Sequence, residues 1–417
     1  MRTGRSGQAP CPRAAKGTRA GAANRTRRDR CIGASSSRWG LPAPLSGVAW
    51  RRVRGKGKPV NSFEIAVLGG DGIGPEVMEA GIAVLEVVDA RHKLGLRFSS
   101  HRAGAMAYRD TGEDLSEEVF ARSRDADAIL LGAMGWPGIR REDGTELAPQ
   151  ITLRMRLGLF GGVRPIRAIP GVPLPLSDPR AAKMDFVILR ESTEGLFFSK
   201  DQGLVTPEMA EETLRLTRPT SMALARMSFE LAAERAARLG RPGRVTLVDK
   251  ANVFRAFAWL RAVFGEVAVE YPTVTFDAHY VDAMALDLIR RPWDFDVLPT
   301  ENMFGDILSD LAAGLIGGMG FAPSADLGAE HAVFQPSHGT APDIAGKGLA
   351  NPTAMILSGA MMLEWLAMRG GGQALREAAG EIRAAVDQAF AEGLRTPDIG
   401  GRDGTVEVAR RVIAAIG

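Results

Sequence analysis

Asn302-Met-Phe-Gly-Asp-Ile-Leu-Ser-Asp310 sets two carboxylates, Asp306 and Asp310, four residues apart around the start of an apolar, helix-like run, 308–315. At that spacing two side chains stand one above the other on a single helix face. Carboxylates that close repel, so a divalent cation, a shared proton, or an Arg or Lys usually sits between them. A lone pair of this kind is most often a solvated helix face. Here the surroundings point elsewhere. An apolar run (Val297, Leu298) precedes the pair and the Gly-rich Gly314-Leu-Ile-Gly-Gly-Met-Gly320 follows it. Acids at the mouth of a strand-to-helix turn are well placed to hold a metal.

Outward from this stretch, strand-length apolar runs recur at 63–68, 128–131, 186–189, 245–248 and 296–298. The spacing between them predicts helices through Val77, Ile82, Leu85 and Val88, and over 207–239, 251–263 and 282–289, with a helical region after Asn351. Strands separated by helices predict an α/β body. The Pro-rich segment 169–176 reads as a surface excursion. After the first strand comes Gly69-Gly-Asp-Gly-Ile-Gly74. Its spacing is Gly70-x-Gly72-x-Gly74, not G-x-G-x-x-G, and no acid stands about 20 positions on at a second strand tip, so the classical Rossmann fingerprint is absent.

Charge is unevenly distributed along the 417 residues. Residues 1–60 hold 15 of the 52 basic residues and one acid, Asp29, which leaves 37 basic against 48 acidic residues in the body. An acidic body gives no electrostatic reason to bind nucleic acid. Both cysteines, Cys11 and Cys31, lie in the tail, so the body has no disulfide framework, thiolate metal site or cysteine nucleophile. No apolar run approaches the roughly 18 residues of a membrane span. The tail is rich in Arg, Gly, Ala and Ser without apolar periodicity, and residues 1–60 are expected to be a disordered basic extension. It shares composition with organellar transit peptides and with nucleic-acid-binding arms. The plainer reading is an upstream extension of a cytoplasmic protein whose body begins near Val60.

Three motifs occur in order: Gly70-Asp-Gly-Ile-Gly-Pro-Glu76, Asn302–Asp310, and His338-Gly-Thr-Ala-Pro-Asp-Ile-Ala-Gly-Lys-Gly-Leu-Ala-Asn-Pro352. Together they resemble the β-decarboxylating dehydrogenases, whose members act on isopropylmalate, isocitrate, homoisocitrate, tartrate or D-malate. The resemblance covers residues 62–417. It implies two α/β domains around a cleft, an isopropylmalate-dehydrogenase-like fold rather than a classical Rossmann fold. The first domain would be 62–159 plus 317–417, and the second, 160–316, would carry homodimer contacts.

The resemblance also implies a chemistry. A 2-hydroxy acid with a C3 carboxylate gives hydride to a nicotinamide and loses carbon dioxide, while Mg²⁺ or Mn²⁺ acts as Lewis acid. By similarity Asp282, Asp306 and Asp310 hold the metal, Asp282 from the partner subunit; without the resemblance Asp282 reads as a helix cap. Arg154, Arg164 and Arg190 match the substrate-carboxylate clamp, for which a guanidinium fork suits better than a lysine. Lys250 matches the general base, again across the interface, with Asp282 beside the chemistry. His338, Gly339, Ala341, Asp343 and Asn351 match the cofactor loop. A carboxylate at Asp343 accepts from ribose hydroxyls and repels a 2′-phosphate, so NAD is expected. One position departs from the family. A tyrosine that commonly stands seven residues after the clamp arginine is Phe197 here, and the only tyrosines are Tyr108, Tyr271 and Tyr280. The C3-substituent pocket would hold Gln150, Ile151 and Val253. The leading substrate is 3-isopropylmalate, as in leucine biosynthesis, with D-malate or tartrate as the alternative. A non-catalytic regulatory paralogue is the reading from another class.

Overall fold

Strand-length apolar runs pack edge to edge into one sheet. The computed structural model describes residues 62–200 and 202–417; the expected basic extension lies outside them. Its strands are β1 (Phe63–Gly70), β2 (Leu96–His101), β3 (Ala128–Ala133), β4 (Gly161–Arg167), β5 (Asp185–Glu191), β6 (Leu204–Val205), β7 (Ala210–Glu211), β8 (Gly243–Asp249), β9 (Val274–Tyr280), β10 (Val297–Thr300), β11 (Pro323–Leu327) and β12 (Ala332–Pro336). Ten form a sheet in the order β2-β1-β3-β12-β11-β4-β5-β10-β8-β9, and β6–β7 make a separate exposed hairpin. The outer blocks are parallel, as buried strands joined by helices require. At the centre β11 and β4 run antiparallel to their neighbours. The β11–β4 ladder therefore carries the sheet across the expected domain boundary.

Alternation along the central strands gives the sheet two different faces. In register, Asp326 of β11 pairs with Gly162 of β4, which pairs with Arg190 of β5. Ser324 pairs with Gln335. These residues and Arg164 share one polar face. The neighbouring Val163, Pro165, Ala325, Leu327, Val187 and Phe334 face the opposite way, toward helices Arg218–Leu239 and Thr353–Leu366 and a cavity of about 520 Å³. Helix Thr353–Leu366 is buried on nearly every side, which explains its uniformly apolar composition.

Local boundaries differ from the sequence expectation where turn chemistry prevails over periodicity. The helix expected from Pro207 begins at Arg218 with Pro219 in its first turn; residues 206–211 instead turn and pair as the hairpin, Thr206 Oγ1 accepting from Glu208 and Met209 N–H. The helix expected from Ala251 begins at Arg255, after a turn in which Val253 and Phe254 N–H donate to the Lys250 carbonyl. Segment 169–176 lies outside helix and strand, although Ile169 and Val172 anchor it in the core. The glycine turn after β1 is a structural junction. Buried Asp71 accepts from the N–H groups of Ala105, Met106 and Gly135 at 2.7–2.9 Å. Gly72 has φ +58°, and a Cβ there would meet the Thr340 carbonyl at 2.1 Å.

Candidate active-site cleft

Helix Asn302–Leu315 follows β10 directly and is capped by Glu301, whose side chain accepts from Phe304 N–H. It buries Gly305, Leu308, Ser309, Ala312 and Ala313, and leaves Asp306, Ile307 and Asp310 exposed. Both acids lie inside the helix, earlier in its course than the apolar run 308–315 suggests. Gly305 explains what sits beneath them. A Cβ at 305 would lie 2.7 Å from Cβ and Cγ of Arg190, so the glycine lets the arginine stem pass against the helix. Arg190 then donates from Nε and Nη2 to Asn302 Oδ1 at 2.9 and 2.7 Å, and from Nη1 to Asp306. Arg190 is thus one of the partners expected for the acid pair, bonded to Asp306. Asp310 has no such partner among the described residues; partial burial and the Asp306 charge push its carboxyl above the ordinary range.

All three clamp arginines are buried, and they meet in one cleft of about 190 Å³ with Asp306, Asp310, Gln150, His338 and Gly339. Arg154 Nε donates to Asp326 Oδ2 at 2.8 Å, Arg164 Nη2 to Asp326 Oδ1 at 3.3 Å, and Gln335 Nε2 to Asp326 Oδ2 at 2.7 Å. Burial opposes ionisation of Asp326, but the Arg154 and Arg164 charges win and hold its carboxyl below the usual range. Burial and the Arg154 charge bring Arg190 down to about 10, so it remains a cation at neutral pH. Neither Asp326 nor Gln335 was singled out from the sequence. The available signal was an isolated acid within an otherwise uncharged, buried strand, which normally demands a partner.

Other expected residues fall in different places. Lys250 Nζ donates to Asp282 Oδ1 at 2.6 Å, and the Asp282 carboxyl is held low by that bond. Neither residue lines the cleft of its own chain. No group of three or more metal-binding side chains is found among the described residues, so Asp282 does not join Asp306 and Asp310 within one chain. Phe197 does lie beside the site, its ring centroid 5.3 Å from the Arg190 guanidinium carbon. Gln150 lines the cleft with its Oε1 buried and without a partner among the described residues, whereas Ile151 does not line it and Val253 is exposed.

The loop 338–351 hangs on the first turn-and-helix unit. Ile73 N–H donates to the Thr340 carbonyl, and Glu76 accepts from Gly346 and Ala350 N–H at 3.2 and 3.3 Å. Ala341 adopts φ +37°, uncommon for a residue with a side chain. Asp343 is exposed on this loop. His338 Nδ1 contacts the Gly339 carbonyl at 2.9 Å, its Nε2 is buried without a partner among the described residues, and burial lowers its pKa. The Asn351 amide is already engaged, donating to Asp398 and accepting from Thr353 N–H.

Comparison with known proteins agrees with this architecture. The family described as isocitrate/isopropylmalate dehydrogenase matches residues 64–412. The 3-isopropylmalate dehydrogenase of Methanothermobacter thermautotrophicus is 41% identical over 85% of this chain and 98% of its own. The 3-isopropylmalate/3-methylmalate dehydrogenase of Methanocaldococcus jannaschii is 40% identical over 84% of this chain and 97% of its own. Among solved structures, isocitrate dehydrogenase from Methylococcus capsulatus is similar with a TM-score of 0.73 and 35% identity, over 85% of this chain and 99% of that one. The apo β-decarboxylating dehydrogenase of Thermococcus kodakarensis gives a TM-score of 0.70 and 36% identity, over 85% and 96%. With the match running through the whole described body, this chain belongs to the isocitrate/isopropylmalate dehydrogenase family.

Proposed function

We propose that this protein catalyses the NAD-dependent oxidative decarboxylation of 3-isopropylmalate. The observation that supports this most is the convergence of three buried guanidinium groups on a cleft also lined by Asp306 and Asp310. Arg154, Arg164 and Arg190 would hold the two substrate carboxylates, and their hydrogen bonds to Asp326 and Asn302 orient them before substrate arrives. Asp306 and Asp310 supply oxygen donors on one helix face, the kind of ligand a hard divalent cation takes, and the raised Asp310 carboxyl is the charge conflict a cation relieves. A bound Mg²⁺ or Mn²⁺ would act as Lewis acid toward the substrate oxygens. Asp282 of a second copy would complete the donor set. Lys250 of that copy would take the hydroxyl proton, acting as the neutral amine and ending as the ammonium.

NAD would lie along the 338–351 loop, with His338, Gly339 and Ala341 toward the cleft, Asp343 accepting from ribose hydroxyls, and Asn351 shaping the loop's end. Phe197 has no proton to give, so C3 would be protonated by water or by lysine. Within this reading the protein is a cytoplasmic homodimer with shared sites. The segments 62–159 with 317–417 and 160–316 would be two lobes closing over substrate, with the β11–β4 ladder as hinge. Among the described residues no helix is long and apolar enough to cross a membrane.

A second reading, a D-malate or tartrate dehydrogenase, draws support from Gln150. Its buried Oε1, without a partner among the described residues, asks for a donor such as the C3 hydroxyl of tartrate, which neither an isopropyl group nor D-malate provides, so the support goes to tartrate.

The test follows NADH formation with Mg²⁺ or Mn²⁺ on 3-isopropylmalate, D-malate, D- and L-tartrate, isocitrate and homoisocitrate separately. A clear preference for 3-isopropylmalate is expected. Preference for D-malate or a tartrate replaces the first reading with the second. A folded, NAD-binding protein that turns over none of them is instead a regulatory paralogue.

A further inference from the structure

We infer that Asp326 sets how many substrate carboxylates the cleft accepts, limiting it to two. This rests on the 2-hydroxy-acid reading above and extends it to a residue outside the expected ligand set. Asp326 is 1% exposed and lies beneath the cleft on β11, bonded at once to Arg154, Arg164 and Gln335. It is held there from both sides. Gly162, between Asp326 and Arg190 in the sheet register, leaves the lateral space that a side chain would fill; a Cβ there would lie 3.2 Å from Asp326 Oδ1 and 3.3 Å from Arg190 Cβ. Gln335 cannot take over the carboxylate's task, because its amide donates to the same Oδ2 that Arg154 uses.

The charge balance follows from these contacts. Three guanidinium groups bring three positive charges to the cleft, and Asp326 permanently cancels one of them. Asp306 and Asp310 together carry the charge that one divalent cation neutralises, and the second copy's Asp282 and Lys250, an ion pair within each chain, would add one charge of each sign. Two positive charges remain for the substrate, matching a dicarboxylate and leaving a third carboxylate uncompensated in a desolvated site. Asp326 thus works through the arginines: it is a positioning and selecting residue, and does not itself meet substrate.

The test compares binding and turnover of 3-isopropylmalate and isocitrate by the wild-type protein and by Asp326→Asn and Asp326→Ser. Binding is read calorimetrically with Mg²⁺ and without NAD, where nothing turns over; circular dichroism checks the fold. The wild-type protein is expected to favour the dicarboxylate. Removing the charge should shift both the affinity ratio and the kcat/KM ratio toward isocitrate by at least roughly tenfold, a fraction of the about 30-fold or more that truncating a buried charge partner typically costs. A merely structural role would weaken both substrates alike and leave the ratio unchanged; that result in an active, folded variant overturns the inference alone. Should neither variant fold, wild-type protein that binds isocitrate as tightly as 3-isopropylmalate overturns it as well. Wild-type protein that binds no 2-hydroxy acid refutes the reaction reading, and this one with it.

Discussion

Phe197 stands where the family resemblance implies a tyrosine. Its ring sits over the Arg190 side, at 5.3 Å, on the short turn Leu196–Ser199 that follows β5. The aromatic bulk is therefore retained and the hydroxyl is not. Substituting Phe197→Tyr should raise kcat, by up to roughly 10²-fold where C3 protonation limits turnover, since general acid assistance is worth about 10²–10⁴-fold. Steady-state kinetics on the preferred substrate checks this; an unchanged kcat means the proton comes efficiently from elsewhere. Gly305 is the second decisive position. Alanine there gains roughly 1 kcal/mol of helix propensity but meets Arg190 at 2.7 Å. Overpacking typically costs about 1–3 kcal/mol, so stability should change little while Arg190 moves. Gly305→Ala should therefore raise KM for the hydroxy acid severalfold with a nearly unchanged Tm.

At the scale of one element, helix Asn302–Leu315 carries a built-in dependence on pH and cation. Partial burial and the neighbouring Asp306 raise the Asp310 carboxyl above its ordinary value. A carboxyl whose folded pKa is raised favours the fold fully below its unfolded pKa, and loses that contribution as pH rises through the folded pKa. At neutral pH the cation-free helix therefore bears a repulsion that the nearby Arg190 and Arg164 charges offset only in part. Mg²⁺ should raise Tm at pH 7 and by less at pH 4, because the upward shift of Asp310 favours its protonated form as pH falls and a protonated carboxyl is a poorer ligand. Equal shifts at both pH values in a thermal scan would mean that the cation binds elsewhere. The alternating faces of β4 and β11 are likewise legible as a pattern only once the strands are paired, because a Gly-Gly-Val-Arg-Pro run has weak strand character by itself.

For the whole molecule, the Lys250–Asp282 pair lies away from the cleft lining of its own chain. Large apolar side chains remain exposed nearby in sequence: Val253, Phe254, Leu286 and Ile289, and Ile307 beside the acid pair. The proposed sharing of sites between two copies makes a sharp prediction. Lys250→Met and Arg164→Leu proteins should each be nearly inactive, yet co-refolding them should restore about a quarter of wild-type activity, because half the dimers are mixed and each carries one intact site. No recovery above either parent would mean that each chain builds its site alone.

The sequence by itself determined the α/β alternation, the helix face that carries Asp306 and Asp310, and the positions of the three arginines. These are local properties: a period of two or 3.6 residues, a glycine turn, and short motifs whose order is readable without a fold. The tertiary structure alone decided that Arg154 and Arg164 share Asp326, 172 and 162 residues away in the chain. It also decided that Asn302 braces Arg190, and that Lys250 and Asp282 pair with each other rather than enter their own cleft. Those outcomes depend on strand order and register, and β11 lies beside β4 only because the sheet reverses direction there. A buried carboxylate is tolerated only where folding delivers its cations, and no window along the chain contains both.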